Sequence, residues 1–342
     1  MKYLLPNTGR FYKACLHTHS TVSDGKMPPE EVKERYKSKG YSILALTDHE
    51  ICLPHPELND EDFLTLTSYE LLVEDGSPKI NAKAYHLNFI AKDPNNRWQF
   101  HHPNLRPYIA NYVDQLVYDQ PEIRTYGLEQ TNALIAKATE KGFLCTYNHP
   151  VWSMQTTEDY VGLKGLWGAE VYNHASYLIG YEEGTSQCFQ EILRSGSQVF
   201  PVAADDTHKP EHVGGGWVMI CAEELSYSAV IEAMERGDLY ASSGPEIRSL
   251  TLEGNTVRIT CSDAVTVSMV THGRHAKRVL AAPGEKLNEA AFDLTTWLEK
   301  TTEDTYDKAF FRLLVTDAAG NKAYTRAYRR SELLDELTKT EV

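Results

Sequence analysis

No apolar run in this chain approaches the roughly 20 residues that a membrane-spanning helix needs. The first ten residues, MKYLLPNTGR, carry one lysine and only a short apolar run before a proline, too little for the core of a signal peptide. A cytoplasmic location is therefore the expectation. Positive charge is scarce: 34 Lys and Arg stand against 48 Asp and Glu, a net charge of −14. That balance argues against a nucleic-acid polymer or an anionic membrane as partner, since both need a basic face. It leaves room for a small anionic substrate, because bound cations can invert the local field. The six cysteines (Cys15, Cys52, Cys145, Cys188, Cys221, Cys261) are scattered without a C-x-x-C pair. They read as reduced, mostly buried thiols, not as a disulfide framework or zinc ribbon. A G-x-S-x-G elbow is missing, and no Ser or Cys has an obvious activating partner, so activated water is the default nucleophile. Gly214-Gly215-Gly216 lacks the Lys-Ser that would make it a phosphate loop and reads as a flexible turn. Internal repeats and low-complexity segments are also lacking.

What is present is an ordinary globular balance, 42% apolar and 24% charged over 342 residues, enough for one large or two medium domains. Residues 11–17 read as a strand, 28–39 as a helix with acids first and bases last, and 41–50 as a second strand. Strand, helix and strand within some 40 residues make a βαβ unit with parallel strands. The alternation continues to about residue 237, with strands expected at 63–69, 83–91, 143–150, 166–173, 198–208 and 216–222. Helices are expected at 107–118, 127–141, 176–194 and 226–236. From Ile247 onward short alternating segments separated by turn residues suggest a small antiparallel β-sandwich. The expected organisation is a barrel over 1–245, an Ig-like sandwich over 246–330 and a charged, weakly helical tail over 331–342.

Nine polar positions stand out: His17, His19, Asp24, His49, Glu70, His86, His149, Asp206 and His208. Most fall at or just past the C-terminal end of an expected strand; His86 lies inside one and Asp24 in a Ser-Asp-Gly turn. In a barrel of parallel strands those ends share one face. His17 and His19, two apart, point to the same side of a strand. Six imidazoles and three carboxylates are too many for one tetrahedral zinc and suit two or three ions, with Glu70 or Asp206 available to bridge. Ions held close together can generate hydroxide at neutral pH and clamp a phosphate.

Taken together, His17-x-His19 with Ser23-Asp24-Gly25, Thr47-Asp48-His49, Glu70, His86, His149-Pro150 and Asp206-x-His208 resemble the motifs of the PHP (polymerase and histidinol phosphatase) superfamily. The resemblance covers about residues 11–245 and implies a distorted (β/α)7 TIM-like barrel holding up to three divalent ions, Zn, Mn or Fe. It further implies that His17, His19, Glu70 and Asp206 hold the first ion. Glu70, His86 and His149 would hold the second, and Asp24, His49 and His208 the third. The tail resembles the sandwich that follows some PHP barrels.

The expected activity is that of a metal-dependent phosphoesterase, acting as a phosphomonoesterase on a small phosphorylated metabolite or nucleotide. A metal-bridging hydroxide would attack, with Glu70, Asp206 and His208 as the catalytic groups. Two alternatives stay open: hydrolysis of a carbamate- or ester-type bond, and a non-catalytic protein whose sandwich binds a ligand. Arg106, Arg124, His174 and Lys209 are candidate substrate contacts. Surface charge explains the two arginines and the lysine equally well, and helix capping by Asn173 explains the Asn173-His174 pair. Asp48 either orients an imidazole or caps the next turn.

Overall fold

The computed structural model describes residues 1–101, 107–118, 124–182, 186–301, 308–334 and 337. It is a mixed α/β fold with one large mixed sheet and few helices. Seven strands run in the spatial order Arg10–Cys15, Ile43–Leu46, Leu64–Glu74, Ala84–Ala91, Phe143–Tyr147, Gly168–Asn173 and Phe200–Ala204. Past the last and first of these, Thr18 and Thr207 form a parallel bridge. There the Asp206 N–H donates to the His17 carbonyl (3.0 Å) and the His19 N–H to the Thr207 carbonyl (2.9 Å). The sheet thus curls until its last strand meets its first.

Two strands depart from the parallel arrangement expected: Trp217–Ala222, which runs antiparallel to Arg10–Cys15, and Ala84–Ala91. Ala84–Ala91 runs antiparallel to both Leu64–Glu74 and Phe143–Tyr147. The link from Glu74 to Ala84 is too short for the crossover that a parallel neighbour would require, so the chain turns back on itself. The helices obey their end signals. Pro29–Ser38 opens on proline with Glu30 and Glu31 in its first turn, closes with Arg35 and Lys37, and buries Val32 and Tyr36. Tyr227–Arg236 is capped by the Ser226 side chain and stopped by Gly237 at φ 74°, a left-handed position that glycine adopts without strain.

Trp217–Ala222 pairs with both Arg10–Cys15 and Leu239–Ser242, and the latter pairs with Lys322–Thr325. The sheet therefore passes without a break into the last third of the chain, ending on Phe310–Thr316, Thr266–Thr271 and Ala276–Leu280. A second sheet, Lys2–Tyr3, Ile247–Glu253, Thr256–Ala264 and Leu287–Asp293, shares a core with this extension around Leu250, Ile259, Met269, Trp297 and Phe311. Leu4 and Leu5 join that core, so the first few residues pack with the C-terminal part and not with the ring.

Two local expectations are corrected. Residues 107–118 form two 3-10 turns, Ile109–Asn111 and Val113–Gln115, then the short strand Val117–Tyr118, in place of a helix. The helix expected over 176–194 is two helices, His174–Leu178 and Gln187–Arg194, and the first ends where Gly180 takes φ 101°. After Tyr328, at the start of the stretch expected to be charged and weakly helical, a 3-10 turn, Arg330–Leu333, buries Leu333 against the C-terminal core. All six cysteines are free thiols, and only Cys188 is not fully buried. Among the described residues no helix is long and apolar enough to cross a membrane.

Candidate metal centre

The ring gathers all nine marked side chains at one end. His17 and His19 follow Arg10–Cys15, His49 follows Ile43–Leu46, His149 follows Phe143–Tyr147, and Asp206 and His208 follow Phe200–Ala204. Glu70 lies within Leu64–Glu74, a strand longer than the sequence suggested. His86 reaches the cluster because its strand runs the opposite way. A residue near the start of an antiparallel strand sits where its parallel neighbours end.

Every one of the nine falls into four overlapping groups whose ligating atoms lie within 4.8 Å of one another. The groups are His17, Glu70 and His149; His17, His19 and Asp206; His49, Glu70 and His86; and His19, Asp24, His49 and His208. They overlap the three sets implied by the resemblance without matching them, since His19 joins Asp24 and His49 joins His86. Glu70 is the hub: its oxygens lie 3.0 Å from His49 Nδ1, 3.1 Å from His86 Nδ1, 3.2 Å from His17 Nε2 and 3.4 Å from His19 Nε2. Asp206 Oδ1 lies 3.2 Å from both His17 Nε2 and His19 Nε2.

The electrostatics keep the carboxylates ionised and divide the imidazoles: His49 and His86 are lowered, while His17, His149 and His208 are raised by the carboxylates around them. Burial alone would raise the carboxyl pKa of Glu70. The surrounding imidazoles, His17 first, outweigh it and hold that carboxyl well below the usual range. Asp206 is held down in the same way. Burial pushes His49 down to about 3 and lowers His86, while the Asp206, Glu70 and Glu170 carboxylates outweigh burial to raise His17. Three buried polar atoms of the cluster make no hydrogen bond of good geometry: His19 Nδ1, His49 Nδ1, although it lies 3.0 Å from Glu70, and Asp206 Oδ1, although it lies 3.2 Å from His17 and His19. Buried polar atoms are normally hydrogen-bonded, so ligating atoms that crowd together at this range without that geometry fit a donor set arranged around bound cations. His149 at φ 25° and Asp206 at φ 52° hold the left-handed backbone region, which costs a non-glycine residue about 1–3 kcal/mol and aims both side chains inward.

A surrounding layer orients the ligands. Glu170, buried in Gly168–Asn173, lies 2.7 Å from His17 Nδ1 and accepts from the His149 N–H (2.8 Å) and Asn173 Nδ2 (3.0 Å). A carboxylate on Nδ1 fixes that proton and leaves Nε2 to face a metal. Sequence reasoning passed over Glu170. Its signal was an acid inside an apolar strand run, which must find a partner once buried. Asn148 donates to Glu70 (3.1 Å) and Asn173 to Asp206 (3.2 Å). Asp48 contacts no imidazole. It accepts from the backbone and hydroxyl of both Ser20 and Ser23, which makes it the clamp of the loop carrying Asp24. Gly25 ends that loop because a Cβ there would lie 2.7 Å from the His19 carbonyl. The amides of Gly214, Gly215 and Gly216 all donate to the buried Asp205 carboxylate, so this glycine turn binds its own chain.

Of the four candidate substrate contacts, Arg106 lies outside the described residues. Arg124 is turned away from the cluster: it is buried against Glu50 (2.7 Å) and donates to the carbonyls of Leu72, Phe100 and His101. A guanidinium that close to a buried carboxylate is held by it, which corrects the expectation of a phosphate grip. His174 begins a helix capped by Asn173, with its Nδ1 2.8 Å from the Tyr172 hydroxyl, and belongs to none of the four groups. Lys209 is exposed next to His208.

A scan against family models and a search of curated proteins both find no match. Solved structures do align. One is a two-domain protein from Bacteroides vulgatus containing a predicted PHP-like metal-dependent phosphoesterase, at 14% identity, covering 96% of this chain and 98% of that one, with a TM-score of 0.46. Another is an amidohydrolase from Chromobacterium violaceum with bound sulfate, at 16% identity, covering 66% and 96%, with a TM-score of 0.37. A third is the lesion-specific endonuclease EndoQ from Pyrococcus furiosus, at 14% identity, covering 66% and 56%, with a TM-score of 0.42. At such scores the likeness stands beside the site chemistry and adds no weight to it.

Proposed function

We propose that this protein is a metal-dependent phosphoesterase of the PHP type. Its catalytic unit would be a distorted (β/α)7 barrel, with a β-sandwich appended. The reading is carried by one observation: four overlapping His, Asp and Glu groups, nearly all buried, share Glu70, His17, His19 and His49 at one end of the curled sheet. Overlap of that kind suits two or three divalent ions, with Glu70 as the shared carboxylate and Asp206 completing the His17 and His19 group. Zn, Mn and Fe all accept this mixed N and O donor set. Bound there, such ions would supply Lewis-acid charge and lower the pKa of water to near neutrality.

The chain's own groups do the remaining work. Glu170 sets the His17 tautomer, and Ser153 Oγ, 3.1 Å from His149 Nδ1, holds the orientation of the His149 ring. His208 keeps Nδ1 on the Asp206 carbonyl (2.9 Å) and turns Nε2 towards Asp24 (3.4 Å). With two ions bound and the Asp24 group free of metal, His208, the most exposed imidazole of the cluster, is the group that can exchange a proton with a leaving alcohol. With Arg124 engaged elsewhere, Lys209 is the proposed side-chain contact to the phosphate. The substrate is a small phosphate monoester.

The test strips the protein with a chelator, reloads it with Zn, Mn or Fe, and measures bound metal together with release of inorganic phosphate from phosphate monoesters. Aryl carbamates and carboxylic esters serve as rival substrates. Metal-dependent phosphate release, inhibited competitively by inorganic phosphate, is expected. Turnover of carbamates or esters alone would replace the phosphoesterase reading.

A further inference from the structure

We propose that Trp152 is the specificity residue of this centre, forming a stacking surface for the leaving group, so that the preferred phosphate ester carries a flat aromatic ring on its alcohol. The proposal rests on the phosphoesterase reading above and narrows its substrate. His149 is followed at once by a tight turn. The Met154 N–H donates to the Val151 carbonyl (3.1 Å), the Gln155 N–H donates to the Pro150 carbonyl (3.0 Å), and Ser153 braces His149. That turn holds Val151, Trp152 and Met154 at 42%, 41% and 39% exposure. Single exposed apolar side chains are common, but three large ones on one short turn form a patch of the kind that marks a binding surface.

The patch adjoins the metal ligands. The Trp152 ring stands perpendicular to His86 (centroids 5.5 Å apart) and to His149 (5.1 Å). It therefore abuts two of the groups built on Glu70 while about two-fifths of its surface stays open to solvent. Met154 keeps the turn in this shape at φ 54°, a conformation that costs a non-glycine residue energy and persists where the surroundings enforce it. The rest of the rim is polar, with Asp24 and His208 both partly exposed. A molecule seated there meets charge on one side and an indole on the other. A phosphate joined to an aromatic ring has that polarity, and ring-on-ring contact gives it an advantage that an alkyl alcohol cannot match.

Benzyl phosphate and ethyl phosphate test the idea, because their leaving alcohols differ chiefly in the ring. On metal-loaded protein, Trp152→Ala should lower the benzyl-to-ethyl ratio of kcat/KM by about tenfold, chiefly through KM, and weaken binding of the inert probe benzylphosphonate by a similar factor. Metal content per chain should match the parent protein, and Trp152→Phe should restore most of the ratio. An unchanged ratio in Trp152→Ala overturns the proposal alone. A ratio that changes only together with metal loss also overturns it, since Trp152 would then merely pack the ligands. If the loaded parent protein hydrolyses neither ester, the phosphoesterase reading fails and takes this proposal with it.

Discussion

Replacing Glu170 with Gln removes one charge and almost no volume, yet it should disable the centre. The carboxylate uses both oxygens: one faces His17 Nδ1 at 2.7 Å, the other accepts from the His149 N–H at 2.8 Å and from Asn173 at 3.0 Å. A glutamine has one accepting oxygen. If that oxygen stays on the His149 amide, its NH2 faces His17 and forces Nδ1 to accept, which moves the imidazole proton to Nε2. That atom lies 3.2 Å from both Glu70 and Asp206 and is the one positioned to bind a cation. If the glutamine flips, its NH2 meets the His149 N–H, donor against donor. Either outcome forfeits a buried charge-assisted hydrogen bond, about 1.5–3 kcal/mol. Loss of such an orienting partner typically weakens metal binding by about 10–100-fold. Competition against a chromophoric chelator measures the affinity, and circular dichroism checks that the fold persists. Parent-level affinity in folded Glu170→Gln would refute the tautomer argument.

Other perturbations separate ligand, loop and proton effects. His17→Ala breaks two of the four groups at once and should remove at least one ion per chain with most of the turnover; elemental analysis and phosphate release read both. Gly25→Ala drives a Cβ to 2.7 Å from the His19 carbonyl, and since backbone cannot yield cheaply, the loop should shift and the Asp24 group lose its ion, seen as reduced metal stoichiometry. Asp48→Ala strands the donors of Ser20 and Ser23 and should cost about 2–4 kcal/mol in denaturant melts, two or more hydrogen bonds at roughly 1 kcal/mol each plus desolvated partners. His208 is opposed by burial but raised to about 9 by Asp24 and Asp206. A cation at the Asp24 group must displace that proton, so its apparent affinity should weaken as pH falls below about 9 and level off above it, as calorimetry across pH would show. In the metal-free protein the same proton stabilises the fold fully below the ordinary histidine pKa of 6.5, and that contribution is lost as pH rises through about 9.

The chain by itself determined its elements wherever local signals are strong. Proline, acids, bases and glycine set the ends of Pro29–Ser38 and Tyr227–Arg236, and the apolar runs set the strands of the ring. It also marked the nine side chains that gather, most of them because a histidine or acid closing an apolar strand is visible without a structure; His86, inside a strand, and Asp24, in a turn, are the exceptions. Tertiary structure decided what local spacing cannot encode. The reversed direction of Ala84–Ala91 came from a short link, and only that reversal explains how His86, inside a strand, arrives beside Glu70. Arg124 shows the same limit: its charge was legible, but the buried Glu50 that claims it is brought near only by the fold. Glu170 and Asp205 were hidden for the converse reason, since a buried carboxylate reveals its purpose only through the donors packed around it. Local free energy writes the elements into the sequence. The pairing of distant charged groups depends on burial, and burial belongs to the assembled chain.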